Sequence, residues 1–130
     1  MNEDFMNFIN SSTSVNYFNN IYITNIEKIE LSIPETYKKD CLISKELHNF
    51  KNTITHKKYI LTGKNLIQIL NNEKQKYKSQ IILPIIVDNI LYGYFICISV
   101  NIILKKVHLK YAKTTLYFIE KFIKKYNKQS

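Results

Sequence analysis

The sequence predicts an α+β domain, an antiparallel sheet with helices packed on its faces. Three observations carry this. Residues 79–104, SQIILPIIVDNILYGYFICISVNIIL, hold two runs dense in Ile and Val around Asp88-Asn89, residues that tolerate the positive φ of a tight hairpin turn. Residues 20–33 place Ile21, Ile23, Ile29, Leu31 and Ile33 in alternation, the pattern of a second hairpin, ended by Pro34. Residues 105–128 repeat apolar positions at helical spacing.

Composition bounds the domain count and the function classes. At 130 residues, 45% hydrophobic, the chain can build one core and is too short for two. Its formal charge of +9 draws it toward polyanions, but every one of the 19 basic residues is Lys. Without the planar fork of Arg, specific reading of phosphates and base edges is not expected. A membrane span is not expected either, because Pro84, Asp88 and Asn89 interrupt the apolar run. The N-terminus, MNEDFMNFIN, is acidic and lacks the basic and apolar regions of an export signal, so a cytoplasmic protein with reduced thiols is expected.

Taken in order, residues 2–8 read as a short helix, with Asn2 as cap and Phe5, Phe8 and Ile9 on one face. A helix this short does not hold alone in water, so these residues must pack on the chain's own core or on a partner subunit. Residues 10–14, NSSTS, form a polar linker, giving an N-terminal helix and linker over 1–19 and a domain over 20–130. After Pro34 comes a charged loop or helical turn, and Ser44 caps a helix that carries Leu47, Phe50 and Ile54 on one side. Residues 58–61 and 66–70 are short apolar runs that periodicity does not assign to strand or helix, with a turn at 62–65 between them. The basic stretch 71–79 reads as an exposed loop.

In the central hairpin, Ile90, Tyr92, Tyr94, Ile96, Ile98 and Val100 alternate against Leu91, Gly93, Phe95, Cys97 and Ser99, and neither face looks wet. Pro84 cannot donate to a ladder, which predicts a bulge or an N side turned away from a partner strand, and Gly93 predicts close backbone approach. In the last helix Leu109, Ala112, Leu116, Ile119 and Ile123 form one apolar row and Val107, Tyr111, Phe118 and Phe122 a second. Two rows exceed one sheet contact, so a second subunit is expected to meet part of that face.

Chemistry is sparse. Cys97 reads as a small core residue, and Cys41 lies in a loop beside Lys38, Lys39 and Asp40, without a convincing base. His48, His56 and His108 are scattered and make no zinc-ligand spacing with Cys41, so neither metal nor catalytic residues are assigned. With two glycines, no phosphate-cradling loop can be written and no cofactor is expected.

The order strand, Pro84 within the strand, short turn, Gly93, strand and long terminal helix, together with PIIVDNILYG at 84–93, resembles the C-terminal GAF-like domain of the stage V sporulation protein T family, which regulates sporulation transcription. The resemblance runs over 20–126 and includes the opening segment NIYITNIEKIELSIPETYKKDCLISKELHNFKNTI. Two departures stand out. Asp88-Asn89 replaces a turn that usually contains Gly, and only about twenty residues precede the first strand, too few for the family's N-terminal DNA-binding domain.

The resemblance implies a GAF-like sheet whose N- and C-terminal helices form a dimer bundle, here through Phe5, Phe8, Ile9, Tyr111, Phe118 and Phe122. It places a strand at 66–70. It also implies a ligand pocket between the sheet and the helix-loop segments, with Tyr37, Cys41, Tyr59 and Tyr77 as candidates, although tyrosines are also ordinary half-buried packing residues. The expected role is a non-catalytic regulatory or sensory homodimer binding a small ligand or regulatory protein. The alternatives are a ligand-free dimerisation scaffold and, behind it, a thiol redox enzyme using Cys41.

Overall fold

A computed structural model describes residues 5, 7, 9, 17–34, 38–50, 59–71, 73 and 76–128. Phe8, Tyr37, Ile54, His56 and the linker expected at 10–14 lie outside the described residues. The elements are β1 (Asn20–Asn25), β2 (Ile29–Ile33), α1 (Lys45–Phe50), β3 (Ile60–Thr62), β4 (Ser79–Val87), β5 (Ile90–Ser99) and α2 (Lys106–Lys128). The fold is α+β, and the five strands form one sheet in the order β2-β1-β5-β4-β3, with every pairing antiparallel.

The central hairpin turns where its residues allow. Asp88 and Asn89 take φ of 52° and 65°, the left-handed pair that a two-residue turn needs. Both faces of the sheet are covered, which is why both strands are apolar on both sides. On one face α2 lies chiefly against β4, and Ala112, Ile119 and Ile123 pack with Ile21, Ile23, Leu31, Ile81, Leu83, Phe95 and Cys97. On the other, α1 and the segment after β3 cover Tyr22, Ile29, Ile82, Tyr94, Ile96 and Ile98.

Two irregularities correct the simple alternation. The β4–β5 register shifts between Ile85 and Ile86, whose partners are Gly93 and Leu91, so Tyr92 is an extra residue. Tyr92 therefore joins the α2 side, while Tyr94, Ile96 and Ile98 face α1. The β1–β2 register shifts in the same way: Ile23 pairs with Leu31, Thr24 with Ile29, and Glu30 is the extra residue. Ile29 consequently leaves the face of Leu31 and Ile33 for the α1 side. A strict period of two cannot survive an inserted residue.

Pro84 and Gly93 behave as their chemistry requires. The amide of Ile82 donates to Tyr59 O across β4's outer edge, but β3 pairs with β4 only from Ser79 to Ile81. Two residues on, at Pro84, the same edge has no strand partner, so the missing N–H breaks no ladder bond. Gly93 lies so close to β1 that a Cβ would fall 1.8 Å from Thr24 O.

The strand expected at 66–70 is absent; the short third strand is Ile60–Thr62 instead. Buried Gln80 explains the difference. Its Oε1 accepts from Ile67 N at 3.0 Å and its Nε2 donates to Ile67 O at 2.6 Å, so a side-chain amide holds the backbone that a strand would have paired.

Candidate functional site

The α1 face of the sheet carries a buried ion pair, Lys38 with Glu73. Ser44 begins the cover, as its hydroxyl accepts from Leu47 N at 3.1 Å, the N-cap expected of it, and donates to Gln68 O. Ser44 N also donates to Ile69 O at 2.8 Å. Glu46, in the first turn of α1, accepts from Gln68 N at 3.0 Å. Residues 66–70 are thus stitched to α1 on one side and to Gln80 of the sheet on the other.

This stitching sets Glu73 over the sheet. Its side chain is 4% exposed, contrary to the exposed loop expected over 71–79, and Lys38 at 12% exposure meets Glu73 Oε1 at 3.2 Å. Lys38 Nζ also donates to Tyr22 Oη at 2.9 Å, and Tyr22 Oη donates to the same Oε1 at 3.4 Å. Tyr22 itself is fully buried on β1. Three groups from separate parts of the chain therefore share one proton-rich contact. The second carboxylate oxygen, Glu73 Oε2, is buried and has no hydrogen-bond partner among the described residues. Burying a paired charge is costly even with good geometry, and leaving one of its oxygens without a donor adds to that cost.

Beside this cluster runs an open groove of about 500 Å³, walled by Glu73, Glu46, Lys76, Tyr77 and Gln68 with apolar contributions from Leu66 and Ile67. Of the expected pocket residues, Tyr77 belongs here, half-buried against the α1-side core. Tyr59 does not. It packs against the α2-side core, with Lys113 Nζ 5.1 Å from its ring centre, so the sheet separates it from Tyr77. Cys41 is exposed, its backbone held by bonds from Cys41 N to Lys38 O and from Ile29 N to Cys41 O. The loop reaches the site through Lys38, and Tyr37 lies outside the described residues. Sequence reasoning missed Glu73, Lys38 and Gln80, because an isolated Glu in a basic stretch and an isolated Gln in a strand carry no periodic signal.

The surface expected to dimerise divides in two. Phe5 and Ile9, both helical, are fully buried in the α2-side core, and Phe5 packs on Phe122 with ring centres 4.6 Å apart. They are interior to this chain rather than an outward patch, packed with the residues of the α2-side core. Tyr111 stacks on Tyr17 at 4.9 Å, with ring planes 5° apart. Among the described residues of the six, Phe118 is the one that is substantially exposed; Tyr117 packs beside it with ring centres 5.4 Å apart, and Val107, about three turns earlier on the same helix, is also about half exposed. Phe8 lies outside the described residues.

The remaining chemistry is limited. Cys97 is fully buried in the core between the sheet and α2, and its thiol is pushed well up by desolvation. Among the described residues no group of three His, Cys, Asp or Glu side chains stands close enough to hold a metal ion, and no helix is long and apolar enough to cross a membrane. No protein-family model matches the chain, and no curated protein matches it.

Proposed function

We propose that this chain is a non-catalytic regulatory domain that binds a small molecule on the α1 face of its sheet and self-associates through α2. The observation that carries the ligand part is the buried Lys38–Glu73 pair set beside an open groove, with Glu73 Oε2 lacking a donor. Natural cores seldom retain such a group without a use for it. The resemblance of PIIVDNILYG and its surrounding order to the GAF-like domain of the stage V sporulation protein T family supports the regulatory part, and two free cysteines suit a cytoplasmic setting. Self-association is supported by the half-exposed Val107, Tyr117 and Phe118 on α2.

Thermal unfolding of the purified chain against a library of cytoplasmic metabolites tests sensing. At least one compound is expected to raise the midpoint in the wild type and not in Leu66→Trp, which fills the groove. If no compound does so while sedimentation still gives a dimer, the chain is a ligand-free scaffold. Sedimentation at micromolar concentration tests the second part: a dimer is expected, reduced to monomer by Phe118→Glu, and a wild-type monomer overturns it.

A further inference from the structure

Resting on the ligand-sensing reading, we infer that the α1-face groove takes a small molecule presenting an N–H donor on an apolar body, with Glu73 Oε2 as the acceptor that reads it. The inference comes from counting what each oxygen of the carboxylate has. Glu73 Oε1 is engaged twice, by Lys38 Nζ at 3.2 Å and by Tyr22 Oη at 3.4 Å. Oε2 is engaged by nothing among the described residues, although the side chain is 96% buried by its 4% exposure. An ionised carboxylate accepts through both oxygens and donates through neither, so the missing partner is a donor.

The surroundings narrow the donor further. Glu73 is itself a wall residue of the groove, together with Tyr77 and the apolar Leu66 and Ile67. Oε1 stays with Lys38 and Tyr22, and a molecule lying in the groove reaches the enclosed Oε2 by displacing the side chains that cover it. A planar or aliphatic body matches Leu66, Ile67 and the Tyr77 ring, whereas a carboxylate or phosphate would meet two carboxylates, Glu73 and Glu46, against one lining cation, Lys76. Lys38 already balances Glu73, so both a neutral amide and an ammonium satisfy the geometry, and the shared requirement is the N–H.

The test uses the full chain, ¹⁵N-labelled, titrated with benzamide, benzylamine, N,N-dimethylbenzamide and benzoate and followed in amide spectra. Benzamide or benzylamine is expected to give saturable shifts at Gln68, Glu73 and Tyr77, which separates the neutral from the cationic donor. N,N-dimethylbenzamide, the same body without the N–H, and benzoate are expected to bind at least about tenfold more weakly, the size of one lost hydrogen bond to a charged acceptor. The charge-neutral double variant Lys38→Met/Glu73→Leu is expected to erase that discrimination. Equal binding of benzamide and its dimethyl analogue overturns the role of Oε2 and leaves the sensing reading standing. Absence of shifts from both donor probes overturns the ligand class, while the metabolite library decides separately whether the groove binds anything. The wild-type comparison of the two amides decides the matter even if the double variant does not fold.

Discussion

Tyr92 Oη donates a 2.8 Å hydrogen bond to Glu30 Oε2, and each of these two residues is the extra one in its own register shift. Glu30 bulges from β2 and Tyr92 from β5, on either side of β1, and Glu30 Oε1 also accepts from Asn25 Nδ2 at 3.1 Å. The two insertions that spoil the alternation are thereby joined to each other beneath α2. Burial and the neighbouring carboxylate together push the Tyr92 hydroxyl far above its ordinary value.

Tyr92→Phe is expected to lower stability by about 1.5–3 kcal/mol, the range for a hydrogen bond to a charged group. Urea unfolding measures this. Spectrophotometric titration should also lose its most alkaline phenol. Because the folded value is raised, the stability Tyr92 contributes is complete below its ordinary value near 10 and declines as pH climbs toward the folded value.

Gly93→Ala tests the close approach of β5 to β1. A methyl placed 1.8 Å from Thr24 O cannot be accommodated by rotating a side chain, since the obstacle is backbone. A loss of about 3 kcal/mol or more is expected, at the top of the overpacking range. A loss of less than a third of that, measured by urea unfolding, would show that the strands can separate locally.

Lys38→Met leaves Glu73 buried without its cation. The expected cost is about 3–5 kcal/mol, mostly the penalty of the stranded charge, and adding Glu73→Leu should recover a large part of it. Unfolding curves for the single and double variants give the coupling directly. An additive pair would mean that the two side chains are independently solvated.

Glu120 ties the helix to the hairpin. Its Oε2 accepts from Ile86 N at 2.7 Å, the next outward amide on the β4 edge beyond Pro84, and Lys124 reaches Asp88 in the turn at 3.3 Å. Desolvation raises the Glu120 carboxyl above its ordinary value of 4.5, while the bond from Ile86 N works in the other direction. A carboxyl raised on folding favours the native state at low pH and loses that contribution as pH rises through the folded value. Glu120→Gln keeps an acceptor for Ile86 and removes the titration, so its stability relative to wild type should increase between about pH 4 and pH 7. A difference that stays flat with pH in urea unfolding would assign the raised value no thermodynamic weight.

The thiols should separate sharply. Cys41 is exposed and Cys97 fully buried, so a disulfide-exchange reagent is expected to modify one thiol per native chain and the second only on unfolding. Cys41→Ser should abolish the native reaction. Two fast thiols would require the core around Cys97 to open on the labelling timescale.

Local chemistry alone determined a good deal of this protein. The α+β class, both hairpins, the Asp88-Asn89 turn, the Ser44 cap, the core role of Cys97 and the sheet-facing row Ala112, Ile119 and Ile123 all follow from residues acting on near neighbours or from an unbroken period. Tertiary structure decided whatever depends on contacts distant in sequence. The insertions at Glu30 and Tyr92 reassign faces, and a one-residue shift is invisible in an apolar run where every choice looks alike. Gln80 replaces a strand at 66–70 with a side-chain clamp 13 residues away. Phe5 and Ile9 are buried in the chain's own core and not at a partner's surface, a choice that apolarity by itself does not reveal. The ion pair of Lys38 and Glu73 spans 35 residues, and its charges are buried only because Tyr22 and the stitched segment close over them. Burial of a charge is a property of the assembled fold, and no spacing in the chain announces it.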